Sequence, residues 1–551
     1  MENGEIKSRL EMRRPDAEEI MRAGRCLGAA IAVIHDGRLL HIECIGVRNV
    51  AQQVCRVRKG LFFARSKLPV NPFTVFPCAA LTKTVIAAAV AQCVDEGNLS
   101  WDDRLEALLP GIFPRAPLFR QMTPVDCLAQ RPRINHPQNW VATGSSDETN
   151  SLQQFETFRN SPIYRGVGYD ISGMLLRQLR GIPCPAVLDS RIFQPLSMLR
   201  TTTQPGRNEE GRETNISQTY GALMARGQYV KVEPSVISGD FAGGPDASMY
   251  SCMSDMVRLY SRFLEDYAYQ LQNNTTETPG SPLKQVPFML LPRAAMSEAY
   301  AHRESSGLGW IRVQTPAPMG VGGLNPRIMH PRPMPDVATG HPTQYILYNQ
   351  GSRSGNLAAV SLVPSTKGAI IVLTNTLGLN DVADWLGQMY LEAYLGVAKK
   401  NDYVRLARET AEKATQWNPQ TMVNLLNNRR AGRAHRDLID YTGQYQNDAL
   451  TMKIYIFIDS RDNTTLRAEF RIHEATEEIY LLTHFRDDVF TFVYCRNHLI
   501  RRGRFTYEDA EFFKLAFGCN DTCSRICVIK WRHNGSLSEP EVFKRQSIRR
   551  G

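Results

Sequence analysis

Lys83 stands three residues after Ala80, at the start of an alanine-rich run that continues through Thr84-Val-Ile-Ala-Ala-Ala-Val90. At that spacing the two side chains share one face of a helix and one side of its first turn. A lysine desolvated there has its pKa lowered and can act as a base, and the helix N-terminus helps stabilise negative charge nearby. A hydroxyl at position 80 would be activated by such a lysine; the alanine methyl has no atom that attacks a carbonyl. Cys78 is the candidate substitute nucleophile, because a thiolate near a lysine and a helix start is activated. It lies two residues before Ala80 and so points elsewhere, and a free cysteine commonly behaves as a small buried apolar residue. Thr82 and Thr84 face away from Lys83 by the same spacing.

The elements around this helix set its place. Gly28 to Ile42 reads as two strands joined at Asp36-Gly37, a strong hairpin signal. A helix from 79 to about 96 is stopped by Gly97, and a second short helix follows with Ser100 as its cap. Residues 136–160 form a polar surface excursion. Met174 to Leu179 lies in a helix after Tyr164, and Ser254 opens another. Residues 268–287 are loop-like, and the Pro-, Gly- and Met-crowded stretch Pro316 to Pro342 is a long irregular loop lining the mouth of a pocket. Strands at 344–348, 357–364 and 369–375 and a helix from Asp381 to about Leu395 complete the unit. From Leu438 onward the pattern changes to short strands, at 451–457, 466–472, 479–483, 489–494 and 526–531, which suggests a small sandwich or barrel.

A chain of 551 residues is too long for one ordinary core. The division expected is a main domain over 1–397, a basic helical connector over 398–436 and an antiparallel β domain over 437–551. No apolar run of about 18 residues is present, so no membrane-spanning helix is expected. The stretch Met1 to Arg9 lacks the apolar segment of a secretion signal, and a cytoplasmic location is the expectation. Twelve cysteines then read as free thiols. The cluster Cys519, Cys523, Cys527 with His533 does not have the spacing of a zinc site, so no metal and no cofactor is expected. The net charge of +10 is spread along the chain. Its densest runs, Arg429 to Arg436 and Arg501 to Arg504, have no nucleic-acid motif around them, and no nucleic-acid partner is expected.

Several segments together resemble the serine β-lactamase and penicillin-binding-protein family. Ala80-Leu-Thr-Lys83 is similar to its Ser-x-x-Lys box, with alanine in the place of the nucleophilic serine. Ala32-Val-Ile-His-Asp-Gly37, Asp95-Glu-Gly-Asn-Leu-Ser-Trp-Asp-Asp103, Gly307-Leu-Gly-Trp310 and Val372-Leu-Thr-Asn375 resemble further family segments in the same order. The C-terminal β unit resembles the lipocalin-like domain appended to many members, and the whole looks like the esterase and acyltransferase branch common in fungal secondary metabolism. The resemblance implies an α+β domain, with an antiparallel sheet flanked by helices, followed by a small all-β domain. It also implies a pocket between Ala80, Tyr164 and the strand near Asn349 to Gly351.

Tyr164-Arg-Gly166 occupies the place of the family's Tyr-x-Asn box, keeping the tyrosine that shares proton transfer with the lysine. Asn349-Gln-Gly351 occupies the place of a His-x-Gly box on the acyl-binding edge. Asp126-Cys-Leu-Ala-Gln130 occupies a fourth segment whose usual histidine and glycine are replaced. What the resemblance implies for function is therefore divided. Lys83 and Tyr164 are the catalytic candidates for acid–base or positioning chemistry on a small, apolar metabolite, with Ala80, Asn349 and Gly351 lining its site. A pseudoenzyme that binds a metabolite or a partner is the alternative, and a hydrolase with Cys78 as displaced nucleophile a second. The oligomeric state is not legible.

Overall fold

The computed structural model describes residues 3–57, 60–110, 121–130, 167–203, 215–232, 249–295, 303–353, 355–430, 436–447, 452–471, 478–493, 495–503, 507, 509–519, 525–533 and 539–546. The main domain is built on a nine-stranded antiparallel sheet. By first residue its strands run in the order Gly60, Arg38, Gly28, Gly368, Asn356, Gln344, Ile311, Glu304, Ala294. The Gly28–His35 and Arg38–Val57 strands turn through Asp36 and Gly37, both at positive φ, as an Asp-Gly hairpin demands.

Both faces of the sheet are covered, so the central strands are apolar throughout rather than alternating with polar residues. In Gly28–His35, Ala30, Ala32 and Ile34 enter one core while Ala29, Ile31 and Val33 enter the other. In Gly368–Thr374, Ala369, Ile371 and Leu373 face the first core and Ile370 and Val372 the second. The first core holds the helices Thr82–Asp95, Val167–Arg180 and Met253–Asn273. The second holds Asn3–Glu11, Arg14–Gly24 and Val382–Leu395. Every residue from Thr82 to Cys93 is buried, which is why this helix is apolar around its circumference apart from Thr82, Lys83, Thr84 and Gln92.

The 25-residue helix Tyr403–Asn427 places Tyr403, Leu406 and Ala407 in the second core. Its far end sets Trp417 and Leu425 in a third core, inside a closed eight-stranded barrel. The barrel closes where Glu541–Arg545 pairs with Gly443–Asn447, around packed aromatic rings of Phe470, Tyr480, Phe492 and Trp531.

Four expectations need correction. The helix expected after Ser100 begins later, at Leu105–Leu108; the Ser100 hydroxyl instead accepts from Asp102 N within a turn closed by Asp103. The Met253 helix runs on to Asn273 through most of the start of the expected loop, because Leu259, Phe263 and Gln270 keep its buried face. The Pro316 to Pro342 stretch does not belong to the first core. Met319, Met329, Met334 and Val337 pack into the second core, across the sheet from Lys83, and the stretch includes a short helix, Asn325–Met329. The barrel also has strands at Gly443–Asn447, Lys514–Gly518 and Glu541–Arg545 and a helix at Arg496–Arg501 beyond those read from sequence. The polar excursion at 136–160 lies outside the described residues.

Candidate functional site

The chain reaches the site through the short strand Val75–Pro77, which pairs with Tyr250–Cys252. It then makes a single 3₁₀ turn, Ala79–Leu81, before the helix begins at Thr82. Ala79 has φ +47°, a left-handed conformation that costs an alanine about 1 kcal/mol or more. Thr82 holds the turn in place: its hydroxyl donates to the Ala79 carbonyl (2.7 Å) and accepts from Met249 N (2.9 Å). From Thr74 to Cys93, Ala80 is the one residue that is not buried. The turn thus leaves residue 80 partly exposed in an otherwise enclosed segment.

Lys83 lies in the first turn of the helix and is 8% exposed. Its ammonium sits 5.5 Å from the centroid of the Tyr169 ring, in cation–π range. Tyr169 comes from the helix Val167–Arg180 and is fully buried. Its hydroxyl donates to the Leu128 carbonyl at 2.7 Å, and burial pushes its pKa far up. Gln130 lies close enough to bond the same hydroxyl. Tyr169 therefore acts as a neutral wall beside the lysine.

The opposite wall is the strand Gln344–Arg353, in which Asn349 and Gly351 face the turn. Asn349 Nδ2 donates to the carbonyls of Ala80 (3.0 Å) and Gly309 (3.2 Å), tying turn, strand and the Gly307–Trp310 segment together. A Cβ at Gly351 would lie 2.8 Å from the Cys78 carbonyl, 2.9 Å from Ala79 Cβ and 3.0 Å from Ala80 N. Only glycine lets the strand approach the turn this closely. Gly309 meets the same demand with φ +84°, and a Cβ there would press on the Lys83 carbonyl at 3.2 Å.

Ala80, Lys83, Asn349 and Gly351 are thus brought together. Asn349 and Gly351 lie within the strand rather than at its end. Tyr164 lies outside the described residues. Tyr169, five residues beyond it, is a functional-site residue that the sequence reading did not assign. Its signal in the sequence is the Gly168-Tyr169 pair at a helix start, since a Cβ at Gly168 would strike the Cys127 carbonyl. Cys78 is fully buried, donates its thiol to the Phe76 carbonyl (3.4 Å), and has its pKa driven strongly upward by burial. A thiol so placed is a packing group, which counts against the displaced-nucleophile reading. Of the expected cysteine cluster, Cys519 is exposed, Cys527 half-buried and Cys523 outside the described residues, while His533 is bonded to Glu541. No helix among the described residues is long and apolar enough to cross a membrane.

Solved structures share this architecture at low identity. The octameric penicillin-binding protein homologue from Pyrococcus abyssi aligns over 98% of this chain and 99% of its own, at 15% identity and a TM-score of 0.50. The crystal structure of SurE aligns over 98% of this chain and 99% of its own, at 16% identity and the same TM-score. At these identities the likeness is one of fold. The sequence profile of the β-lactamase family, however, matches residues 14–393, a span that takes in the helix start, Lys83 and the Asn349 to Gly351 strand. With that match over most of its length, the chain belongs to the β-lactamase family.

Proposed function

We propose that this β-lactamase-family protein acts on a small, apolar metabolite by positioning and proton transfer at Lys83, without a serine acyl-enzyme. The observation that carries the reading is the Ala79–Leu81 turn. It presents position 80 out of a buried segment, with Lys83 one turn on, and the group it presents is a methyl. The family's fold goes with hydrolase and acyltransferase chemistry, in which a nucleophile attacks a carbonyl carbon and an acyl-enzyme follows. Here Ala80 contributes no electron pair and Cys78 is buried as a thiol. What remains is a lysine held against an aromatic face and a turn with its backbone N–H at a helix start. Removing the nucleophile from a hydrolase leaves roughly 10³–10⁴-fold acceleration from positioning and oxyanion binding. In the proposal Lys83 and Tyr164 exchange the proton, Asn349 and Gly351 border the substrate, and the family branch is that of fungal secondary-metabolite esterases and acyltransferases.

A second reading is a binding protein without turnover. One observation favours it: the Asn349 amide is committed to the Ala80 and Gly309 carbonyls and so fastens the wall of the site.

Intact-protein mass after exposure to an activated acyl ester tests the proposal, with wild type beside Ala80→Ser. The expected result is no adduct on wild type and a single acyl group on the serine variant. That outcome means a preserved pocket with its nucleophile deleted. An adduct on wild type, mapped to Cys78 or any hydroxyl, overturns the proposal. No adduct on either protein favours the binding reading, and loss of turnover in Lys83→Ala separates an enzyme from a binder once a substrate is found.

A further inference from the structure

Helix Arg496–Arg501 interrupts the barrel between the strands Val489–Thr491 and Lys514–Gly518, and its residues dock on the main domain. Arg496 is 5% exposed. Its guanidinium donates to the Ala222 carbonyl (2.6 Å) and the Gly378 carbonyl (2.7 Å). No carboxylate among the described residues pairs with it. Burial, with Arg25 nearby, draws its pKa down to about 10, so the group is still a cation at neutral pH. A buried charge held only by carbonyls is costly to keep and is sensitive to geometry. Beside it, Asn497 Oδ1 accepts from Met224 N (2.7 Å). Ile500 fills a small apolar cluster with Leu223 and Leu377, and a Cβ at Gly221 would lie 2.5 Å from its Cγ2.

Two lines of contact lead from this dock to the strand that carries Gly351. The first runs through the strand Tyr220–Ala222, which pairs with Thr376–Leu377. Thr219, the preceding residue, accepts from Asn356 Nδ2 at 2.7 Å, and a Cβ at Gly355 would meet Thr219 Cγ2 at 2.4 Å. Asn356 is paired with Arg353, the last residue of the Gly351 strand. The second line runs through Leu324, which packs on the Ile500 cluster and whose N–H donates to Asp381 Oδ2 (3.2 Å). Asp381 accepts from Asp384 N, and Asp384 in turn accepts from Gln350 Nε2 at 2.7 Å. Gln350 lies between Asn349 and Gly351.

We propose that the C-terminal barrel is a working part of the site: its helix Arg496–Arg501, anchored by Arg496, braces the end of the Gln344–Arg353 strand against the Ala79–Leu81 turn. Arg496 is a positioning residue that acts through Ala222, Gly378 and Asn356. The inference concerns the strand and holds whichever chemistry the site performs.

Hydrogen exchange of the full-length chain, wild type against Arg496→Ala, tests it. Exchange across 344–353 and 356–363 is expected to accelerate about tenfold, while 28–35 in the sheet centre and 453–458 in the barrel stay unchanged. Acceleration confined to 220–222 and 496–501, or spread evenly over the main domain, overturns the brace. If Arg496→Ala does not fold, Asn497→Ala, which removes only the acceptor for Met224 N, is read on the same peptides against the same outcomes. A catalytic readout uses the Ala80→Ser background. Arg496→Ala is expected to slow acylation about tenfold, and Arg496→Lys to recover part of it. An Ala80→Ser protein that is never acylated defeats the proposed function and leaves the exchange result to decide the brace.

Discussion

At the scale of single residues, the site is a backbone approach as much as a set of side chains. The turn at Ala79–Leu81 and the strand Gln344–Arg353 meet at Gly351, where no Cβ intervenes, and Asn349 closes the contact with two carbonyl-directed hydrogen bonds. Each such bond to a buried carbonyl is worth about 1 kcal/mol net, and more is lost when the carbonyl is left unpaired. Gly351→Ala must push a methyl to within 2.8 Å of the Cys78 carbonyl. Overpacking of this kind costs about 1–3 kcal/mol, and urea unfolding should show that loss. A variant as stable as wild type to within about 0.5 kcal/mol would mean the strand does not sit this close to the turn. Ala80 and Lys83 were legible because helical spacing places i and i+3 together whatever the rest of the chain does. Tyr169 was not, because its ring reaches Lys83 from another helix and nothing local in the sequence encodes that contact.

At the scale of elements, legibility followed the strength of the local signal. The Asp36-Gly37 hairpin, the alanine-rich helix and the apolar strands of the main sheet each carry a pattern that one environment explains. Two of the missed barrel strands, Gly443–Asn447 and Glu541–Arg545, do not, whereas Lys514–Gly518 buries Leu515 and Phe517 in alternation. Gly443–Asn447 is Gly-Gln-Tyr-Gln-Asn, and its one large apolar residue, Tyr445, turns inward with only the polar Asn447 beside it. Glu541–Arg545 likewise commits only Phe543 to the core. Such strands are defined by their partners in a closed barrel rather than by alternation.

The helix Val382–Leu395 holds a feature that no periodicity announces. Its cap Asp381 and first-turn Asp384 are both buried, and Asp384 is surrounded by the amides of Asn325, Gln350 and Gln388 with no cation in hydrogen-bond reach among the described residues. Burial raises both pKa values, and the neighbouring Asp381 charge raises that of Asp384 further. The folded state therefore holds protons that the unfolded chain releases near pH 4, the usual range of an unfolded aspartate at about 3.9. This contribution to stability is complete below about pH 4 and declines as pH rises through the raised folded value. Guanidinium midpoints for wild type and Asp384→Asn, taken from about pH 4 to about pH 8, should show wild type losing stability relative to the variant as pH rises. Wild type gaining stability relative to the variant as pH rises would place the pair as ionised in the folded protein.

At the scale of the whole molecule, the two domains share more than a linker. The helix Tyr403–Asn427 begins in the core beneath the main sheet and ends in the barrel core, while Arg496–Arg501 returns from the barrel to the main domain. Trp417 is the pivot of the first tie: it stacks on Tyr507 at 5.4 Å and packs against Phe513. With both ties in place the domains should unfold together, because neither can open without exposing part of the other's buried surface. Calorimetry of wild type is expected to show one transition. Trp417→Ala removes an aromatic anchor whose loss costs about 3–5 kcal/mol in a packed core, and that cost falls on the barrel alone. The expected result is a second, lower transition in which near-ultraviolet signals from the barrel's aromatic rings melt before the main domain does. If the variant still melts in one step at a reduced temperature, the helix is not the tie, and the coupling belongs to the Arg496 dock by itself. Arg496→Ala in the same experiment would then split the transition where Trp417→Ala did not.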